Sequence, residues 1–299
     1  MAVKTVQAVI NGQTYNLTLN SSTGKYEATI TAPSKSSYTL SGHYYPVTVK
    51  ATDDAGNTTT KTDSDATLGG SLKLQVKEKV APVIAITAPT AGSYIINNKP
   101  AITFKVTDDD SGVNPATIGV TIDSGSKVTG DAITKRAVTG GYECTYTPTS
   151  ALADGSHTVR VDASDYDGNA ATQKSVTFKI DTVPPTLSVA SPSDGYVTNK
   201  STITVSGTTN DATSSPVTVM INGTPVTVGS NGAFSTTVTL SAGSNTITIV
   251  AKDSAGKTTT ITRTVKYDPN PPKITAASVT PNPVDAGKTY VISVTVTDE

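Results

Sequence analysis

Apolar and polar residues alternate with a period of two along most of this chain, the pattern that places successive side chains on opposite faces of a β-strand. One alternating phrase recurs three times: Val47-Thr-Val-Lys-Ala-Thr-Asp-Asp-Ala-Gly-Asn57, Val159-Arg-Val-Asp-Ala-Ser-Asp-Tyr-Asp-Gly-Asn169 and Ile247-Thr-Ile-Val-Ala-Lys-Asp-Ser-Ala-Gly-Lys257. Each copy runs along a strand into an aspartate, turns at a glycine and leads into a second strand. Aligned on Asp53, Asp165 and Asp253, the copies lie roughly 80 to 115 residues apart, about one β-sandwich domain each. The pattern predicts a string of similar all-β modules.

Further strands follow from the same alternation. In Ala101-Ile-Thr-Phe-Lys-Val-Thr107 and Ser201-Thr-Ile-Thr-Val-Ser-Gly207, the residues Ile102, Phe104, Val106, Ile203 and Val205 share the inward face. Val217 to Val228 reads as a hairpin about Asn222-Gly223, because both turn residues tolerate positive φ. Val9-Ile-Asn-Gly-Gln-Thr-Tyr15 and Gly24-Lys-Tyr-Glu-Ala-Thr-Ile30 repeat that middle in the first module. Proline-bearing linkers at Val80-Ala-Pro82, Asp181-Thr-Val-Pro-Pro185 and Asp268-Pro-Asn-Pro-Pro272 separate the modules and stiffen their junctions. The expected division is 1–79, 80–182, 183–268 and 269–299. The first module lacks two opening strands and the last carries only opening strands. The modules should follow one another as an elongated rod on the order of 100 Å, from strands of ~3.3 Å per residue.

Composition narrows the possible functions. Hydrophobic residues make up 35% and charged residues 16% of 299 residues, and β-branched Thr and Val suit a pleated, half-buried surface. A formal net charge of −1, with no Lys/Arg cluster, offers no footprint for nucleic acid. No apolar run approaches the ~20 residues of a membrane span. Residues 1–10 lack the charged segment, apolar core and cleavage site of a secretory signal. The single cysteine, Cys144, reads as a small strand residue. The two histidines, His43 and His157, belong to no nucleophile or metal motif and read as surface or strand-end residues. The chain is expected not to be an enzyme.

Residues 184–267 resemble a bacterial immunoglobulin-like domain of the glucodextranase-B type. The matching pieces are the Ser191-Pro-x-Asp-Gly opening, Ile221-Asn-Gly223, Gly232-Ala-Phe234, Gly243-x-Asn245 and Asp253-x-Ala-Gly256. Residues 80–182 are similar, with an insertion around Gly125 to Ala137. The resemblance implies Greek-key β-sandwiches without catalysis of their own, used for spacing or attachment. Such modules occur in phage tail or capsid proteins, surface adhesins and secreted glycosidases. The expected role is a virion protein that spaces or attaches to the host surface, with other virion proteins or a host glycan or protein as partners. The alternatives are a cell-surface adhesin and the accessory region of a secreted glycosidase.

Two groups of residues are candidates for binding. Asp108, Asp109 and Asp110 follow the second strand of the second module, and Asp165 and Asp167 follow its sixth. In an immunoglobulin-like sandwich those loops share a pole, which here faces the first module near Lys77, Glu78 and Lys79. Converging carboxylates suit Ca²⁺, a hard cation that takes six to eight oxygens. The competing reading is a solvated Asp-x-x-Gly turn. It is favoured because the first and third modules keep the turn without a second acidic run. For a glycan, Tyr44, Tyr45, Tyr94 and Tyr196 are the candidate exposed platforms.

Overall fold

The computed structural model describes residues 2–298, which form two compact units, Met1–Ile180 and Asp181–Glu299. Among the described residues the regular structure is strand, with three short 3-10 turns and no α-helix. Among the described residues no helix is long and apolar enough to cross a membrane.

The first unit opens with one sheet. Its strands run in the order Lys25–Glu27, Gln13–Asn20, Val3–Ile10, Tyr45–Asp53, Thr58–Lys61, with Lys73–Leu74 added beside the start of Tyr45–Asp53. Asn11 and Gly12 make the first hairpin with φ of 46° and 74°, the left-handed pair that matches strand twist. Ala8 and Tyr45 are the buried hydrophobic residues of this sheet, so this part is an open sheet with a thin core, not two packed sheets. Buried Ser37 holds an extended segment against it. Its Oγ donates to Val76 O (3.1 Å) and His43 O (3.0 Å) and accepts from Val76 N (3.0 Å).

The rest of the first unit is a sandwich. One sheet orders Thr134–Val138, Gly141–Tyr146, Ile102–Thr107 and Val83–Ala88; the other orders Val113–Ile122, Gly155–Asp165, Lys174–Ile180 and Tyr94–Ile95. The chain changes sheet after Val83–Ala88 and pairs parallel to Lys174–Ile180, which gives the Greek-key layout of immunoglobulin constant-type domains. The alternating residues read from the sequence fill its core: Ile102, Phe104 and Val106 meet Val159, Val161, Phe178 and Ile180. Cys144 lies opposite Phe104 in register and is 2% exposed.

The second unit repeats this plan. Thr186–Ser191, Thr202–Asn210 and Ala233–Thr239 form one sheet; Tyr196–Thr198, Thr258–Tyr267, Gly243–Lys252, Thr218–Ile221 and Thr224–Val226 form the other. Val205, Phe234, Ile247, Ile249 and Val265 fill the core. Gly207 is required there, since a Cβ would stand 2.1 Å from Ser188 O and 2.7 Å from the Phe234 ring. Lys273–Thr280 and Val291–Thr297 pair as an exposed antiparallel ribbon, the same pairing made by the opening strands of each sandwich.

His157 sits at the start of Gly155–Asp165, the strand-end position expected for it, and is buried there and not on the surface. Its Nδ1 faces Asp123 Oδ2 (2.8 Å) and its Nε2 faces Ala153 O (2.7 Å). Both partners are acceptors, so the ring satisfies both only in its doubly protonated form. Burial lowers the imidazole pKa, but the Ala153 carbonyl and Asp123 outweigh it and the net direction is upward.

Two predictions follow from this packing. Burial pushes the Cys144 thiol up to about 11, so a thiol reagent at pH 8 should leave the folded chain unmodified and label one cysteine after denaturation; rapid native labelling would contradict the packing. The raised His157 pKa contributes stability that is complete below the unfolded value of about 6.5 and lost as pH rises through the folded value. The melting temperature should fall across that window, and His157→Gln should flatten the fall.

Candidate functional site

The repeated Asp-x-x-Gly phrase folds the same way in all three copies. The aspartate backbone N–H donates to the carbonyl four residues on: Asp53 to Asn57 (3.0 Å), Asp165 to Asn169 (3.1 Å) and Asp253 to Lys257 (3.0 Å). Its Oδ1 accepts the returning amide, at 2.8 Å, 2.7 Å and 2.8 Å respectively. Gly56, Gly168 and Gly256 take φ of 89°, 93° and 93°, where a Cβ would be strained. The turn is therefore complete without any ligand.

The copies differ at the second oxygen. Asn57 Nδ2 donates to Asp53 Oδ2 (2.9 Å) and Asn169 Nδ2 to Asp165 Oδ2 (2.7 Å). The third module has Lys257 at this position, and the buried Asp253 Oδ2 has no hydrogen-bond partner.

In the second and third modules this aspartate joins two other carboxylates. Glu78, Asp108 and Asp165 form one trio and Asp181, Asp211 and Asp253 another, each with an oxygen from every member within 4.8 Å of the others. One member comes from the lead-in segment, one from the loop after the second strand and one from the glycine turn. Thirty residues separate Glu78 from Asp108, and thirty separate Asp181 from Asp211. Among the described residues no Lys or Arg makes an ion pair with any of the six. Two carboxylate charges no more than 4.8 Å apart repel by roughly 3 kcal/mol or more at an effective dielectric of about 20.

The first trio relieves this within its own hydrogen bonds. Glu78 accepts from Ser111 Oγ (3.0 Å) and Val80 N (2.6 Å), and Asp108 Oδ1 accepts from Gly112 N (2.7 Å) and Asp110 N (3.1 Å). Burial holds the Glu78 carboxyl above the ordinary glutamate range. The Val80 and Ser111 donors oppose that shift, while Asp165 and the charge on Asp108 add to it.

The other acidic candidates serve the seam with the first sheet. Asp110 Oδ1 accepts from Ser36 N (3.0 Å), and Asp167 Oδ2 accepts from Glu78 N (3.0 Å). Asp109 is exposed and stands outside the trio, beside Gly140. Tyr166 stacks on Tyr38 across the same seam, with centroids 4.3 Å apart and planes 11° from parallel. Tyr38 stacks in turn on His43.

Comparison with known proteins fits this geometry. Residues 87–182 match the family model described as bacterial Ig-like domain, and residues 185–268 match glucodextranase, domain B. The chain carries tandem immunoglobulin-like domains. No curated protein matches it. Among solved structures, it resembles the fibronectin(III)-like modules of Clostridium thermocellum CbhA, at 16% identity, over 62% of this chain and 94% of that one, with a TM-score of 0.35. An I-band fragment of titin is 13% identical over 89% of this chain and 88% of its own, with a TM-score of 0.43. A tetra-tandem repeat from the extending region of a large adhesion protein is 21% identical over 98% and 79%, with a TM-score of 0.33.

The tyrosines expected as platforms lie in different environments on these immunoglobulin-like domains and the sheet before them. Tyr45 is buried, contrary to expectation, and its hydroxyl donates to Lys35 O (3.1 Å). The inward phase of its strand places it there. Tyr44 is half-buried, bonded to Asp63 Oδ2 (2.8 Å) and covered by Lys73. Tyr94 is half-buried under Lys179. Tyr196 is 46% exposed, beside exposed Val197 and a shallow depression that includes Pro192 and Ile203. The third module's trio was missed in the sequence because Asp181 and Asp211 stand singly, without an acidic run. The repeated thirty-residue spacing was the available signal.

The Glu78 shift predicts a pH effect. A carboxyl raised on folding binds its proton more tightly in the folded state, so it removes stability as pH rises from about 4.3 through the raised value. Glu78→Gln should be at least as stable as the parent at pH 7 and show a shallower loss of melting temperature between pH 4 and 7. Identical profiles for the two proteins would assign that titration elsewhere.

Proposed function

We propose that this chain is a non-enzymatic spacer and attachment segment of a bacteriophage virion, carried on tail or capsid. The observation that supports it most is the use made of its polar groups. Asp110, Asp167, Glu78 and the Tyr38–Tyr166 stack tie the first sheet to the adjoining sandwich. Cys144 and His157, the groups best able to do chemistry, are spent on packing and a closed hydrogen-bond pair. Modules that resemble bacterial immunoglobulin-like domains point to an extracellular or surface setting, and the virion reading rests on the resemblance of these modules to those of phage particles. The contact for a host glycan or protein would be Tyr196 with Val197, the exposed aromatic–aliphatic pair. A second reading, the accessory region of a secreted glycosidase, is favoured by the match of residues 185–268 to glucodextranase, domain B.

Gold-labelled antibody to residues 80–268, viewed by electron microscopy on producing cells and released particles, tests the proposal. Label on particle tails or heads is the expected result. Label confined to the cell envelope would replace the virion by a surface adhesin, and label only in the medium would favour the glycosidase. Tyr196→Ala should lower binding of the chain to host cells several-fold without moving its melting temperature.

A further inference from the structure

The third module contains a buried carboxylate oxygen that the protein leaves without a partner. Asp181, Asp211 and Asp253 are 0%, 8% and 5% exposed, and their ligand oxygens lie within 4.8 Å of one another. Asp253 Oδ1 is taken by Lys257 N, whereas Asp253 Oδ2 is buried with no hydrogen bond. A buried acceptor without a donor is costly, and more so beside two other carboxylates.

The neighbouring donors are already committed. Asp211 Oδ1 accepts from Thr213 N (2.8 Å), Ser214 N (2.7 Å) and Ser214 Oγ (3.2 Å), and Asp181 Oδ1 accepts from Val183 N (3.2 Å). The fully buried Ser214 hydroxyl also contacts Asp181 Oδ2. The site thus offers three carboxylates and a hydroxyl, all hard oxygen donors, with no nitrogen or sulfur among them.

We propose that Asp181, Asp211 and Asp253 bind a divalent cation, Ca²⁺ in preference to Mg²⁺. Oxygens no more than 4.8 Å apart can share one ion at Ca–O bonds of about 2.4 Å, and calcium accepts an irregular oxygen shell where magnesium demands a tight octahedron. The ion would fill the place at Asp253 Oδ2 that the Asn57 and Asn169 amides fill in the other two turns. The Glu78 trio is the internal comparison, because both oxygens of Asp165 already accept hydrogen bonds from Asn169. Cation binding would fix the Asp181 lead-in to the loop and turn of its own module.

The test uses the full chain, stripped with a chelator and titrated with CaCl₂ or MgCl₂ by calorimetry, with native mass spectrometry for stoichiometry. One calcium should bind in the range of about 10⁻⁵ to 10⁻³ M and raise the melting temperature. Asp253→Asn should abolish this uptake. Lys257→Asn copies the turn of the first two modules and should weaken binding by about tenfold or more. If Asp253→Asn does not fold, Lys257→Asn and hydrogen exchange on the parent chain still decide. Calcium should slow exchange around 211–216 and 253–257. No uptake at millimolar calcium, uptake unchanged in both variants, or exchange unaltered at those segments would overturn the proposal.

Discussion

The hydrogen bond from the amide four residues on to the aspartate Oδ1 pins a carboxylate at the pole of each module, on a glycine turn that the aspartate's own amide also closes. The bond is made in all three copies within 0.1 Å. The turn closes on itself, so its aspartate cannot swing away to solvent. What varies is which groups meet that carboxylate. Module 1 surrounds Asp53 with its own backbone and Asn57. Modules 2 and 3 bring two more acids to it.

The consequence of that crowding depends on one residue. At Asn169 the side-chain amide caps Asp165 and also reaches Glu78 O (3.2 Å), so the acid, the turn and the lead-in form one hydrogen-bonded unit. At Lys257 no amide is available, and Asp253 keeps an unpaired buried oxygen. Two related sandwiches therefore differ in how the turn aspartate is satisfied through the identity of one turn residue. A like-charge cluster inside a sandwich persists only if something offsets its repulsion.

Most of the fold was legible because strand alternation has a period of two and each misassigned phase would expose a whole core. Ile102, Phe104 and Val106 lie inward as their spacing required, and Asn222-Gly223 makes its hairpin. Tyr45 shows the limit of that reading. Two adjacent tyrosines on a strand must face opposite sides, yet nothing local says which one is inward. Tyr45 begins its strand in the inward phase, where its hydroxyl meets the Lys35 carbonyl. The first 79 residues were expected as a shortened sandwich but form a single sheet, whose buried hydrophobic residues are only Ala8 and Tyr45 among those described, too few to hold a second layer. The burial of His157 was not legible, since its two acceptors lie four and thirty-four residues away.

The carboxylate pole was half legible. The acidic runs near Asp108 and Asp165 stand out by local density; Asp110 and Asp167 accept from backbone amides, and one member of each run enters the trio. Spacing is the sounder guide. The interval from lead-in acid to loop acid is thirty residues in both trios and recurs from Asp268 to Asp298, although the interval onward to the turn aspartate differs between modules 2 and 3. The difference has a structural cause. The first interval spans only the opening strands, whose pairing fixes their length. The second crosses the middle of the module, where Gly130–Ala132 and the following hairpin lengthen module 2. Insertions there leave the pole intact because the strand that leads to the turn aspartate is held by its paired neighbours and delivers that residue to the same end. A site assembled from the ends of paired strands can thus persist while the loops between them change length.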